Sequence, residues 1–153
     1  MPSNYLKTIA ELMEVAARTA PKAVGQDFIV TEIIEGADLS KLADAMQAFG
    51  EKTGKKNFDR DSNNIRDSGA VLLVGLKDGS KLGLNCGACG SETCAELATP
   101  KEGPEFKGPS CAYRLIDLGI ALGSAAKTAS LLNADSRIMY RVGVVARQMK
   151  LIN

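Results

Sequence analysis

All four cysteines of this chain lie in one short segment, and this feature limits the possible folds more than any other. They are Cys86, Cys89, Cys94 and Cys111, in the spacing Cys-x2-Cys-x4-Cys-x16-Cys. The chain contains no histidine and no tryptophan. The lack of histidine excludes His-dependent catalytic triads, histidine proton relays and every His-ligated metal site. The four thiols are therefore the most informative candidates for metal or redox chemistry in this chain.

Length and composition indicate a single globular domain that spans residues 1–153. Hydrophobic residues make up 45% of the chain and charged residues 24%, which is close to the usual composition of globular domains. A chain of 153 residues buries enough surface to form a core without covalent cross-links. Its net charge of +1 gives no overall attraction to nucleic acid or to acidic membranes, so we expect neither as a partner.

The N-terminal sequence and the hydropathy pattern predict a cytoplasmic protein. Residues 1–7 lack the basic region and apolar stretch of a signal peptide. The apolar run over residues 70–76 is much shorter than the roughly 20 residues that a membrane-spanning helix needs. In the reducing cytoplasm cysteines rarely form disulfides, so metal binding or catalysis is the expected use of these four.

Hydrophobic periodicity predicts an α+β fold, with a small mixed or antiparallel sheet packed against long helices. The polar stretch 54–69 is expected to be a solvated connection with one short helix. Asp78-Gly79 is a turn signal, so residues 81–85 are expected to return as a hairpin partner of the preceding strand. The predicted elements are strands over 28–34 and 70–76 and helices over 4–19, 39–53, 111–132 and 136–150.

The cysteine segment 86–111 is rich in glycine and proline, so it is expected to be mostly loop, with a short helix around 91–98. The long helix after it carries Gly119 and Gly123 on an apolar face. We expect this face to pack closely against another element in the core. Asn133 is expected to cap the end of this helix.

The cysteine spacing matches the ligand requirement of a 4Fe–4S cluster. Such a cube has four iron corners, each of which takes one thiolate. Three ligands close in sequence must wrap around the cube, and Gly87, Ala88 and Gly90 supply the small, permissive backbone for this turn. Their N–H groups are also candidates to hydrogen bond to the inorganic sulfides. Cys111, which begins the long helix, supplies the fourth thiolate where the helix N-terminus favours negative charge.

Three other uses of the cysteines are open at this point. Structural zinc also takes four thiolates, although it usually uses two Cys-x2–4-Cys pairs, and Cys94 and Cys111 do not form a second pair. Disulfides disagree with the expected compartment. A redox-active pair at Cys86 and Cys89 would leave the other two cysteines unexplained. The residues therefore favour the cluster over zinc, disulfides and a redox pair.

The segment from Asn85 to Ala98 resembles the 4Fe–4S module of corrinoid iron–sulfur proteins, and the resemblance implies that Cys86, Cys89, Cys94 and Cys111 are the four ligands. The whole chain resembles the uncharacterised ferredoxin domain-containing proteins of anaerobic bacteria and archaea. The matching pieces are residues 16–23, the cysteine segment, 121–129 and 137–143.

A further resemblance is to flavin-dependent nitroreductases. It rests on Ala20-Pro21 before a strand and on the Asp117–Ala121 sequence that opens an alanine-rich helix. This resemblance implies a nitroreductase-like fold, a homodimer and FMN as a cofactor. The Arg-x-Ser-x-Arg phosphate clamp of that family has no counterpart near the N-terminus.

These observations predict an iron–sulfur protein that transfers single electrons in anaerobic metabolism to a redox partner the sequence does not identify. One alternative is a flavin-linked oxidoreductase in which the cluster relays electrons, and another is a structural zinc module that binds a protein. No catalytic residue is assigned. Lys81, Lys107 and Arg114 are candidates to compensate the negative charge of the cluster.

Overall fold

A computed structural model of the chain describes residues 3–77 and 80–152. The predicted turn at Asp78-Gly79 lies outside the described residues. The helices in the described part are α1 Ser3–Thr19, α2 Ala37–Thr53, α3 Phe58–Arg66, α4 Ala112–Leu131 and α5 Tyr140–Gln148. The strands there are β1 Ile29–Glu35, β2 Ala70–Leu76, β3 Lys101–Glu102 and β4 Lys107–Gly108, and a 3-10 turn covers Ala23–Gly25.

The long strands β1 and β2 pair antiparallel in the middle of the molecule. Ile29 lies opposite Leu76 at one end of the ladder, and Glu35 lies opposite Ala70 at the other. Both strands are rich in branched side chains, which pack well on a pleated surface. Helices cover both faces of this sheet, so the α+β class predicted from the sequence is confirmed.

The sheet separates two apolar clusters. On one face α1 packs against α4, where Ala17 and Ala121 are fully buried and let the two helices approach closely. On the other face α2 packs against α3 and α5 around Met46 and Phe58. The ring of Phe58 lies 4.8 Å from that of Phe49. The cysteine segment leaves this framework after β2 and returns to it at α4.

Three predictions about local structure were wrong. Residues 81–85 form no strand, because the partner of β2 is β1, which lies far away in sequence. Residues 91–98 form turns and bends rather than a helix, and Cys94 is held by its backbone hydrogen bond to the Asn85 side chain. The last helix begins at Tyr140, so residues 136–139 are not helical, and Met139 is extended. The short helix expected within 54–69 is α3, and Asn133, at φ 56°, follows α4 in the left-handed conformation of a C-terminal cap.

The orientation of α4 also differs from the prediction. Gly119 and Gly123 are exposed, and nothing lies within 4 Å of where their side chains would be. The buried face instead carries Arg114, Asp117 and a row of alanines. An ion pair and alanine-mediated contact with α1 therefore set which side faces the core. None of the helices in the part of the chain described is long and apolar enough to cross a membrane.

Candidate metal centre

The four cysteines converge on one small pocket at the N-terminal end of α4. All four line this pocket, and all four thiols are free. Cys111 is buried and comes directly before the first residue of α4, whereas Cys86 is exposed and belongs to the preceding loop. The structure thus brings together the residues that the spacing predicts to be ligands. Their role as ligands stays a prediction.

Backbone reversals and three hydrogen bonds shape the cysteine loop. Asn85, Gly87 and Gly90 have φ values of 50°, 71° and 89°, which lie in the left-handed region that favours glycine and tolerates asparagine. The Cys94 N–H donates to Asn85 Oδ1 at 2.9 Å, and the Asn85 N–H donates to Cys94 Sγ at 3.4 Å. The Gly90 N–H closes a turn on the Gly87 carbonyl at 2.9 Å. Asn85 therefore fixes Cys94 beside the start of the loop.

The three small residues singled out in the sequence differ in position. Gly87 lines the pocket, whereas Ala88 and Gly90 are exposed outside its lining. The positive φ values of Gly87 and Gly90 agree with the expected turn-forming role. Hydrogen bonding from these N–H groups to a cluster stays a prediction.

Cys111 has the environment of a stabilised thiolate. Burial raises the pKa of its thiol, but hydrogen bonds donated by the backbone of Leu82, Tyr113 and Arg114 lower it, and the positive charge of Arg114 lowers it further. The net effect places the pKa below its ordinary value. Two of these donors belong to the first turn of α4, where N–H groups have no partner within the helix. A thiolate is the form that binds metal.

Arg114 connects the metal centre to the rest of the fold. It is fully buried, and its guanidinium donates to the Ser80 carbonyl at 3.0 Å and to Gln26 Oε1 at 2.5 Å. It also pairs with Asp117 at 3.2 Å and lies over the Phe28 ring at 4.5 Å. The side chain thus ties the start of α4 to the segment that precedes β1 and to Ser80, at the entry of the cysteine loop.

The sequence contains only a weak indication of this role for Arg114. Asp117 is buried, pairs with Arg114 and accepts the Ala23 N–H at 2.8 Å. The one signal is the i,i+3 spacing of Arg114 and Asp117, which places them on one side of a helix. Because most such pairs lie in solvent, spacing alone did not indicate burial.

The two candidate lysines have other partners. Lys81 lines the pocket, but its Nζ donates to the carbonyl oxygens of Leu97 and Ala95, which holds the loop together. Lys107 is outside the lining of the pocket and lies 3.5 Å from Glu102. Of the three candidates, Arg114 is the one that acts on a cysteine, through its effect on Cys111.

These residues fit the ligand set of an iron–sulfur cofactor. Four thiols that form no disulfide surround one pocket, and the thiol of Cys111 has a lowered pKa. The pocket that the four cysteines line with neighbouring residues has a volume of about 10 Å³. Over residues 3–77 and 80–152, no three Cys, Asp or Glu side chains form a ready-made site for a single metal ion.

Comparisons with known proteins identify the family. A family model described as an uncharacterized protein containing a ferredoxin domain matches residues 107–153, which include Cys111. An uncharacterized protein of Archaeoglobus fulgidus is 44% identical over 149 residues, covering 97% of this chain and 80% of the relative. The chain belongs to this ferredoxin-domain family. The resemblance of the sequence to ferredoxin domain-containing proteins is thereby confirmed.

The family membership supports iron–sulfur and metal-binding chemistry, since ferredoxins are iron–sulfur electron carriers. No solved structure matches the chain. The resemblance to nitroreductases, with its fold and FMN, finds no support in these comparisons.

Proposed function

We propose that this protein transfers electrons with one 4Fe–4S cluster, which Cys86, Cys89, Cys94 and Cys111 hold. The observation that carries the proposal is the convergence of four free thiols on one pocket. A cube takes one thiolate at each of its four corners, so this donor set provides a full complement of protein ligands. Membership of a ferredoxin-domain family supports the same chemistry.

The burial of the cysteines suggests which side of the cluster exchanges electrons with a partner. Cys111 is buried against α4, whereas Cys86 is exposed and Cys89 and Cys94 are half-buried. The cluster supplies the one-electron chemistry when it is bound. The protein anchors one side through Cys111 and leaves the Cys86 side open to solvent, where a redox partner can approach. We keep the cytoplasm as the expected location, because its reducing conditions preserve thiol ligands.

Anoxic purification followed by metal analysis tests this proposal. We expect about four irons per chain and the broad thiolate-to-iron absorbance of a 4Fe–4S cluster. Cys111→Ser should lower the iron content, and Ser110→Ala, at the neighbouring position, should leave it unchanged. Stoichiometric zinc without iron would favour the structural zinc module instead. Stoichiometric FMN together with iron would favour the flavin-linked oxidoreductase.

A further inference from the structure

A second cavity, separate from the cysteine pocket, lies beside β2 between the two helix layers. Its volume is about 490 Å³, which is within the range of sites that bind ligands or peptide side chains. Leu6, Met13 and Leu122 line it from the α1 and α4 side, and Ile65 and Val142 from the α3 and α5 side. Its α4 residues begin at Leu122, roughly 16 Å along the helix from Cys111.

The cavity follows the edge of β2. Ala70 and Leu72 point to one face of the strand, and Val71 and Leu73 point to the other, since side chains alternate along a strand. All four line the cavity. A cavity over one face would be lined by alternate residues only, so this cavity borders the strand edge.

That edge of β2 has no strand beside it. Among the described residues β2 pairs with β1 and with no other strand. The edge away from β1 therefore presents backbone N–H and C=O groups toward the cavity. An open edge of this kind is a template for another strand.

The opposite wall also offers free backbone groups. Residues 135–139 form neither helix nor strand and line the cavity. Within the described parts of the chain, their backbone N–H groups donate no hydrogen bond. The open strand edge and this irregular segment thus enclose a slot between two helix layers, in the place that a further strand of the central sheet would occupy.

We propose that this slot binds an extended peptide segment of another protein, which pairs with β2 as a third strand. The slot has apolar walls on both sides, so the segment that fits is apolar at consecutive positions, as in a strand buried on both faces. Four residues of β2 line the slot, which corresponds to roughly 13 Å of paired strand.

The charged residues that line the slot indicate a second property of the peptide segment that would bind there. Asp67 and Asp135 line the slot, and within residues 3–77 and 80–152 neither carboxylate forms an ion pair. Arg137 also lines it, which leaves the charged lining net negative. A lysine or arginine beside the apolar residues of the segment would be attracted to this lining. The partner is therefore an apolar strand with a basic flank.

A synthetic peptide tests the slot directly. The probe is fluorescently labelled acetyl-Lys-Val-Ile-Val-Leu-Lys-amide, titrated against the full chain as purified and followed by anisotropy. The matched peptide is N-methylated at its four central residues, which removes the N–H donors and keeps the apolar side chains. We expect at least a tenfold weaker affinity for the methylated peptide, because several backbone hydrogen bonds are lost. Hydrogen exchange at residues 70–73 should slow only with the unmodified peptide.

A variant locates the binding. Ala126 lines the slot from α4, so Ala126→Phe should fill it and abolish peptide binding. Ala48 is exposed on α2, and Ala48→Phe should bind the peptide as the unchanged chain does. Circular dichroism and thermal unfolding verify that both variants fold.

Four results would overturn the proposal. Equal binding of the methylated peptide would assign the cavity to apolar small molecules, and unchanged binding by Ala126→Phe would place the peptide elsewhere. A chain that dimerises through the slot, and becomes monomeric in Ala126→Phe, would assign the slot to a second copy. No binding at millimolar peptide would exclude strand addition. None of these readouts depends on the metal, so this proposal and the proposed function can fail separately.

Discussion

At the scale of single residues, Arg114 links the cysteine loop to the rest of the fold. Its charge is fully buried and is compensated by Asp117, while Ser80 and Gln26 accept its remaining hydrogen bonds. A buried ion pair contributes little on balance, but removal of one partner leaves the other charge without compensation. The residue therefore supports the metal centre by position: it holds Ser80, at the entry of the cysteine loop, against α4.

We expect Arg114→Ala to lower the free energy of unfolding by about 3–5 kcal/mol, because it leaves the Asp117 carboxylate buried and unpaired. Arg114→Lys should cost less, since it keeps the charge and loses the planar set of donors. Chemical denaturation of the metal-free chains measures both. The double variant Arg114→Met/Asp117→Leu should recover part of the loss, and a loss below about 1 kcal/mol for Arg114→Ala would contradict this account.

At the scale of elements, a short hairpin positions the approach to Cys111. Strands β3 and β4 pair, and β4 ends three residues before this cysteine. Glu102 in β3 accepts from Arg147 of α5 at 2.7 and 2.9 Å, and Arg147 also donates to the Glu105 carbonyl at 3.0 Å. These contacts dock the hairpin on α5, so the position of the fourth predicted ligand depends on a helix distant in sequence.

The contact with Arg147 gives the hairpin a pH dependence. The hydrogen bond from Arg147 lowers the pKa of the Glu102 carboxyl below its ordinary value; desolvation opposes this effect, and the positive charges of Arg147 and Lys107 add to it. A lowered pKa in the folded state means that the docking is present above the ordinary glutamate pKa and is lost as the pH falls through the lowered value. Hydrogen exchange over residues 101–108 should therefore increase in acid.

Glu102→Gln should cause the same increase at neutral pH and make exchange in the hairpin less dependent on pH, after correction for intrinsic exchange rates. Glu32→Gln, on the exposed side of β1, provides the matched control and should leave the hairpin unchanged. Protection of 101–108 that is equal in Glu102→Gln and in the original chain would show that the hairpin docks by other contacts.

The same elements show what the sequence could predict. The strands and the first two long helices were located well, because alternation and helical periodicity are local properties. The partner of β2 was missed, since pairing with β1 depends on packing between residues distant in the chain, and Asp78-Gly79 indicated a local hairpin. The four cysteines line one pocket, as their spacing led us to expect, and their role as ligands stays a prediction. The exposed face of α4 was misjudged because Ala121 and Ala125 bury a helix face with very little side chain.

At the scale of the whole molecule, the outer surface of the α1 and α4 layer is unusually apolar. Leu12 and Val15 on α1 are 45% and 58% exposed, and Ile116 and Ile120 on α4 are 52% and 40% exposed. Lys127 is the only charged exposed residue of α4. Large apolar surfaces of this kind mark interaction sites. The exposed charged residues of α1, Glu11 and Arg18, have opposite signs, so two copies can meet here without strong repulsion between like charges.

The size of this surface is sufficient for a homodimer, which stays a prediction. Two helices of 17 and 20 residues, at about 1.5 Å per residue and about 10 Å in width, cover roughly 550 Å² per chain. A pair of copies would thus bury about 1,100 Å², just above the roughly 1,000 Å² of a specific interface. The glycines at 119 and 123 would let the α4 backbones of the two copies approach closely.

We therefore expect the chain to be a dimer in light scattering and Ile116→Glu to be a monomer, because burial of the added carboxylate in an apolar interface carries a large desolvation cost. Ala48→Glu, on the opposite helix layer, should remain a dimer. The monomeric variant should keep its metal, since Ile116 is not among the residues that line the cysteine pocket. If the unchanged chain is monomeric at every concentration tested, the apolar face serves another partner, and Gly119→Ala should then stabilise the exposed helix by about 0.5–1 kcal/mol.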